Sequence, residues 1–253
     1  MKVELLPSSV PPTEAQFLVS FLVNDTVAID AGPLGLLSDL RKQGRVRHVF
    51  LTHEHIDHVA TLPIFLENVY EPGPDCVELL GRADVLDFIH DDIFNGRVWP
   101  DFFALSTPAD RFITATTLAP LVTVERAGCR ITPVPVHHGT DTLAMVVDDG
   151  DSCVAFAADT GPTDLLWEEL ARRPTLRAVF LECSFPEALA GLAARSDHLS
   201  PASFAAQAAR LPAGVRTLVI HRKAAHAETI AAELAARDLP GVELAVPGRR
   251  YDF

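Results

Sequence analysis

The sequence predicts an α/β fold in which two β-sheets are covered by helices. Strand-like runs open the chain, a second set follows its midpoint, and helix-then-strand alternations close it without a low-complexity linker. Strand-rich halves arranged in this way pack as sheets whose exposed faces are covered by helices.

Gln16 to Val23 and Thr26 to Ala31 read as strands joined by the turn pair Asn24-Asp25, hence a hairpin, and Val46 to Thr52 reads as a third strand. Val59 to Tyr70 is expected to be helical and Cys76 to Leu80 extended. Arg82 to Phe94 is expected to be helical, with Val85, Leu86, Ile89 and Phe94 on one face. Asn95 to Pro108, rich in proline and aromatics, reads as a loop. Strands follow at Leu121 to Glu125, Cys129 to Val136, Thr142 to Val147 and Cys153 to Ala158, with turn signals at Ala127-Gly128 and Asp148-Asp149-Gly150. The closing alternations are helix Thr163 to Arg173 with strand Ala178 to Glu182, helix Pro201 to Leu211 with strand Thr217 to Ile220, and helix Ala225 to Arg237 with strand Val242 to Val246.

With 253 residues and 48% hydrophobic content, the chain can bury a sizeable core, and one compact domain over residues 1–253 is expected. A net charge of −13 argues against a protein that tracks along nucleic acid, because such affinity rests on many Lys and Arg contacts to phosphates. A small anion can still be drawn in by a metal. Cys76, Cys129, Cys153 and Cys183 form no C-x-x-C pair and read as reduced core thiols. Met1 to Ser8 has no long apolar segment ahead of a cleavage site, and no run approaches the roughly 18 apolar residues of a membrane span, so a cytoplasmic protein is expected.

The chemistry concentrates in Thr52-His53-Glu54-His55-Ile56-Asp57-His58, directly after the apolar run His48 to Leu51. A strand ending in such a loop can aim His53 and His55 at one ion while the following turn brings Asp57 and His58 toward a second. Histidines also serve as hydrogen-bonded core or surface residues. Here, however, His137-His138, Asp159, His198 and His221 recur at or just beyond the ends of other strand-like runs. Adjacent strand residues point to opposite faces, so His137 and His138 compete for one ligand position. Alternation by itself leaves the two open. For Asp159 the alternative to a metal ligand is a helix cap, although Thr163 lies closer to the helical start.

His53-x-His55-x-Asp57-His58, followed by an isolated His, an Asp and a C-terminal His, resembles the metallo-β-lactamase superfamily over almost the whole chain. The resemblance implies a four-layer αββα sandwich with a two-metal site at one edge. His53, His55 and His138, the last followed by Gly139 as that pattern prefers, would hold one ion, Asp57, His58 and His221 the other, and Asp159 would bridge them; His137 would then be a donor behind a ligand or a buried neighbour. Neutral imidazoles suit Zn²⁺, and Mn²⁺ or iron tolerates the same ligand set. Asp30, in Ile29-Asp30-Ala31-Gly32, would orient a metal-bound histidine.

A narrower resemblance, to the class II 3′,5′-cyclic-nucleotide phosphodiesterases, rests on Ser20 to Asp25, Ile29 to Gly32, Ile93 to Phe102, Leu181-Glu182-Cys183-Ser184-Phe185-Pro186, His198-Leu199-Ser200-Pro201 and the closing Gly248 to Phe253. The chain departs from that pattern in Ala60, where Gly is common, and Ala224, where Pro is expected. The resemblance implies hydrolysis of 3′,5′-cyclic nucleotides, cyclic AMP first, to 5′-monophosphates by a metal-bound hydroxide that Asp57 orients. Two metals would activate the water and clamp charge on the phosphoryl oxygens.

By similarity to the superfamily's tRNA 3′-processing ribonucleases, Glu182 and His198 would form the proton-donating pair. The alternative is that His198 or Ser200 caps the helix starting at Pro201. Trp99, Phe102 and Phe103 are candidates to stack on a base, although aromatics also build cores. Asn95 is a candidate substrate contact or loop-fixing amide, and Lys223 a phosphate-facing or solvated cation. The partner expected is a small anionic substrate, with neither a membrane nor a nucleic-acid polymer; monomer and homodimer both stay open. The alternatives are another hydrolase on the same scaffold, such as a lactonase, thioesterase, β-lactamase or different phosphodiesterase, and a relative that binds nucleotide without turning it over.

Overall fold

The computed structural model describes residues 1–253. One sheet comprises β1 (Lys2–Leu5), β2 (Phe21–Val23), β3 (Val27–Ile29), β4 (His48–Phe50), β5 (Val77–Gly81) and β6 (Ile113–Thr117), with β14 (Arg250–Asp252) returning beside β1. The other runs from β7 (Val124–Arg126) through β8 (Cys129–Val136), β9 (Thr142–Asp148), β10 (Cys153–Phe156), β11 (Leu176–Glu182) and β12 (Arg216–Ile220) to β13 (Val242–Leu244). The helices are α1 (Leu40–Gln43), α2 (Ile56–Val59), α3 (Leu62–Val69), α4 (Ala83–Phe88), α5 (Phe102–Leu105), α6 (Leu165–Ala171), α7 (Ala190–Arg195), α8 (Pro201–Ala208) and α9 (Ala227–Ala235).

Alternation along the strands produces the layers. In β2, Phe21 and Val23 face the space between the sheets while Leu22 faces outward; in β11, Ala178 and Phe180 face inward while Val179 and Leu181 face outward. Both sides are apolar, so each sheet must be covered twice. Phe21, Phe156 and Phe180 meet between the sheets with ring centroids 4.8 to 5.3 Å apart. Each fully buried ring contributes about 1.5–3 kcal/mol of transfer free energy. The outer face of the first sheet packs on α3 and α4 through Leu62, Phe65, Leu66 and Val85. That of the second packs on α6, α8 and α9 through Leu166, Trp167, Phe204 and Ile230. The result is the expected αββα sandwich.

The β2–β3 hairpin forms at Asn24-Asp25, whose φ values of 48° and 61° suit the mirror-image turns that match strand twist. Other expectations need correction. Gln16 to Val19 leaves the predicted first strand and crosses to the metal-motif loop, where Val19 N donates to Asp57 O (2.9 Å). Gly32 permits that crossing, since a Cβ there would lie 2.2 Å from Asp57 O. The helix expected over Val59 to Tyr70 forms as α3, and the short α2 precedes it inside the metal motif, the two interrupted where Thr61 N turns to the carbonyls of Ala31 and Gly32. The helix expected over Arg82 to Phe94 finishes as a wider π-type turn at Ile89–Ile93. Within the expected loop Asn95 to Pro108, α5 forms behind Asp101, whose side chain accepts from Ala104 N. The strand expected at Leu121 to Glu125 is confined to Val124–Arg126, with Leu121 at φ 63°.

The short strands β1, β6 and β14 and helix α7 carry too little periodic signal to be read locally; neighbouring strands supply their partners. All four cysteines are free, and Cys129, Cys153 and Cys183 are buried. No helix is long and apolar enough to cross a membrane.

An ion-pair cluster ties the two sheets together. Glu78 of β5 accepts from Arg126 of β7 at 2.6 and 2.8 Å, and from Thr116 at 2.6 Å. His48 Nδ1 lies 3.0 Å from the same carboxylate. The Arg126 hydrogen bonds, aided by Thr116 and His48, lower the Glu78 pKa from 4.5 to about 2. A depressed folded-state pKa contributes stability above pH 4.5 that is lost as pH falls toward 2. Glu78→Gln is therefore expected to lower stability at neutral pH by about 1 kcal/mol, a screened magnitude for a partly exposed pair. In thermal melts the gap to the parent should close on acidification; a gap that stays constant to low pH would refute the tie.

Candidate metal centre

The carboxyl ends of β3, β4, β8, β10, β11 and β12 face one edge of the sandwich, where α/β proteins commonly place ligands. Asp30 follows β3, the His53 to His58 motif follows β4, and His138 follows β8. Asp159 follows β10, Glu182 ends β11, and His221 follows β12. Asp30, Ala158 and His221 adopt positive φ values of 61°, 57° and 53°. Left-handed backbone costs non-glycine residues about 1–2 kcal/mol each, so the surrounding structure must hold this edge in shape.

His53, His55, His138 and Asp159 bring ligand atoms within 4.8 Å of one another, and so do Asp57, His58, Asp159 and His221. Asp159 belongs to both groups. His53 and His58 are fully buried, and Asp159 and His221 are 2% and 7% exposed.

Hydrogen bonding leaves bare nitrogens facing inward. Thr52 Oγ1 donates to Asp30 Oδ2 (2.9 Å), so it accepts from His53 Nδ1 (2.9 Å) and leaves His53 Nε2 with a lone pair. His138 Nδ1 donates to the Asp197 carbonyl (3.1 Å), leaving its Nε2 equally bare. Both bare nitrogens face His55 Nδ1, at 3.1 and 3.3 Å. One proton on His55 cannot serve both, whereas a cation between the three rings serves all. Burial, then the positive charge of His58, holds His53 well below the usual imidazole range, so it is neutral as a metal ligand must be.

The second group makes the same demand more sharply. His58 Nδ1 donates to Asp30 Oδ2 at 2.7 Å, and Asp30 also accepts from Thr52 N at 2.8 Å. Across the pocket His58 Nε2 lies 3.4 Å from Asp159 Oδ1, and both are buried atoms without a hydrogen-bond partner. Burial opposes charge on His58, yet Asp159 and Asp30 hold its pKa well above the ordinary value. The carboxylates thus require positive charge at this point, which a divalent cation would supply in place of a proton. Burial likewise opposes ionisation of Asp57 and Asp159. The His221 hydrogen bond to Asp57 and the charges of His221 and His58 at Asp159 override it and keep both below the carboxylate range. The donor set fits two divalent ions.

Beside these groups, His198 Nδ1 lies 2.5 Å from Glu182 Oε1, and the His198 ring stands 4.9 Å from His138 and 5.6 Å from His221 between centroids. Burial lowers the His198 pKa, but the Glu182 hydrogen bond and charge outweigh it and leave it raised. Capping of α8 belongs to Ser200, whose N–H donates to Ser203 Oγ (2.9 Å). Asp159 is not a cap either; Asp164 occupies the position ahead of α6.

Several expectations change. His137 is not a buried neighbour: its side chain is 63% exposed and pairs at 3.0 Å with Asp197, the residue whose carbonyl holds His138 Nδ1. Phe102 is 4% exposed and stacks on Phe94 and Phe112 at 5.1 and 4.6 Å, so it is a core residue rather than a base platform. Trp99 and Phe103 pack against the same cluster. Asn95 fixes its own loop, accepting from Arg97 N and Val98 N at 2.9 Å each. Lys223 lies over the Phe185 ring at 5.4 Å and lines a cavity of about 140 Å³ with Asp57 and His221.

Sequence reasoning gave no role to Thr52, to Ser184, whose hydroxyl is 2.7 Å from His221 Nδ1, or to Gln16, whose Oε1 accepts from His221 N (2.7 Å). Thr52 and Ser184 lie inside the quoted motifs, where a buried hydroxyl next to a ligand is the available signal. Gln16 has no local signal.

The sequence pattern described as the Beta-lactamase superfamily domain matches residues 26–222. A protein of Yersinia pestis named probable 3′,5′-cyclic-nucleotide phosphodiesterase is 26% identical over 189 residues, 64% of this chain and 53% of that protein. The 3′,5′-cyclic-nucleotide phosphodiesterase of Aliivibrio fischeri is 24% identical over 180 residues, 64% of this chain and 52% of that one. The chain thus spans about half the length of these curated relatives. The crystal structure of unliganded yeast PDE1 superposes with a TM-score of 0.77 at 17% identity, covering 98% of each chain, a likeness of fold.

Asp30→Ala removes the acceptor that orients His58 and Thr52. It is expected to weaken divalent-metal uptake about 10–100-fold, the usual effect of losing such a partner, as read by calorimetric titration of metal-free protein. Unchanged affinity would show that Asp30 does not organise the pocket.

Proposed function

The chain belongs to the beta-lactamase superfamily, and from that footing we propose that it is a binuclear metal-dependent phosphodiesterase that opens 3′,5′-cyclic nucleotides, cyclic AMP first, to 5′-monophosphates. The observation that carries the reading is the Glu182–His198 pair standing directly beside two adjoining metal-ligand groups. Cleaving a phosphodiester requires an activated water, charge stabilisation on phosphoryl oxygen and a proton for the leaving oxygen, and these residues answer each requirement. Relatives named as cyclic-nucleotide phosphodiesterases support the substrate class.

His53, His55, His138 and Asp159 would hold one ion, and Asp57, His58, Asp159 and His221 the other. Two divalent cations bound there supply a water acidic enough to ionise near neutral pH and neutralise charge on the phosphoryl oxygens. Zinc suits the imidazole-rich set, and manganese or iron accepts the same donors. The carboxylate of Asp57, 27% exposed, would accept a hydrogen bond from the attacking water and so aim it. His198 has Nδ1 committed to Glu182, which leaves Nε2 to give its proton to the 3′-oxygen as the P–O3′ bond breaks. Glu182 keeps the ring oriented and offsets the positive charge it carries beforehand. Lys223 gives the cleft a cation for the phosphate.

The test is chromatographic detection of 5′-AMP from cyclic AMP with metal-loaded protein, beside a chelated sample. Turnover should vanish on chelation and with Asp57→Ala. His198→Ala should lose about 10²–10⁴-fold in kcat, the typical worth of a positioned acid, while keeping its metal content. Absence of product from any cyclic nucleotide would overturn the reading and turn the search to esters and lactams.

A further inference from the structure

Glu182 is fully buried, and its two oxygens serve two different histidines. Oε1 holds His198 Nδ1, while Oε2 accepts from Ser184 N at 3.1 Å and Ser184 Oγ at 2.6 Å. The same Ser184 hydroxyl lies 2.7 Å from His221 Nδ1 and 3.1 Å from the His221 carbonyl. Ser184 is itself fully buried, so water does not compete for these bonds.

A serine hydroxyl has one proton to give. Given to Glu182 or to the His221 carbonyl, it leaves oxygen lone pairs facing His221 Nδ1, which must then carry the hydrogen. The opposite assignment would place Ser184 Oγ and Glu182 Oε2 2.6 Å apart with no proton from the hydroxyl between them, which their mutual repulsion disfavours. In the neutral, metal-binding ring His221 Nε2 is then the lone-pair nitrogen, and it points at Asp57 Oδ2, 2.9 Å away. A positive charge must lie between two such electron-rich atoms, a proton on Nε2 in the metal-free protein and a metal ion in its place when one is bound. The His221 backbone is held as well, with its N–H on Gln16 Oε1 at 2.7 Å.

We infer that Ser184 is a positioning residue that fixes the tautomer of His221 for the second metal and links that ligand, through Glu182, to the proton-donating His198. The inference rests on the binuclear reading and not on the identity of the nucleotide. One carboxylate then organises both halves of the reaction: its Oε1 sets the acid, and its Oε2, through one hydroxyl, sets a metal ligand. Ser184→Ala cuts only the second arm, because Ser184 N and His198 still reach Glu182.

The test has two readouts independent of turnover. In metal-free parent protein, long-range ¹H–¹⁵N correlation spectra should show His221 protonated on Nδ1; protonation on Nε2 alone would overturn the inference without any variant being made. In two-step metal titrations, Ser184→Ala should weaken one binding step about 10–100-fold and leave the other unchanged, with Ser184→Thr restoring the weakened step. Equal loss at both steps, or none at either, would also overturn it. A parent that binds one metal equivalent would sink the binuclear reading instead, with the histidine spectrum still deciding the tautomer.

Discussion

The cleft depends on hydrogen bonds that point away from it. Asp30, Thr52, the Asp197 carbonyl and Ser184 each engage the outer nitrogen of a histidine, so the inner nitrogens face one another, Asp57 and Asp159 across a space that calls for positive charge. Buried polar groups left unpaired are costly, about 1–3 kcal/mol each and more when charged. His58 Nε2 and Asp159 Oδ1 are two such atoms at the point where both ligand groups meet. Metal binding would relieve that cost, so any metal affinity of the cleft would share its origin with the site geometry.

The shape of the cleft is borrowed from the sandwich. Its ligands come from both sheets: His53, His55, Asp57 and His58 from the loop after β4, and His138, Asp159 and His221 from the ends of β8, β10 and β12. The aromatic packing between the sheets and the Glu78–Arg126 tie at their edge thus hold ligand distances as well as the fold. Positive φ at Asp30, Ala158 and His221 is sustained by this framework, which offsets a local cost with burial elsewhere.

The acidity of the chain and the chemistry of the cleft are compatible. A net charge of −13 gives a phosphate ester no general attraction, so under the proposed function anion binding would rely on local positive charge, from bound metal and Lys223. A small diester can meet such a local field, whereas a long polyanion would also meet the acidic surface around it.

By itself the sequence determined what is local. Period-2 hydrophobic alternation marked most strands, the Asn24-Asp25 turn marked the hairpin, and clustered His and Asp residues at strand ends marked the ligand groups the fold brings together. The tertiary structure decided what depends on residues distant along the chain. It turned His138 inward and His137 out to Asp197, placed Phe102 in the core, and assembled short strands whose partners lie elsewhere. It also set Gln16 and Ser184 against His221, from 205 and 37 residues away. Donor chemistry belongs to a side chain and is legible in a motif, but which nitrogen keeps its proton depends on what packs behind it, and only the folded chain supplies that neighbour.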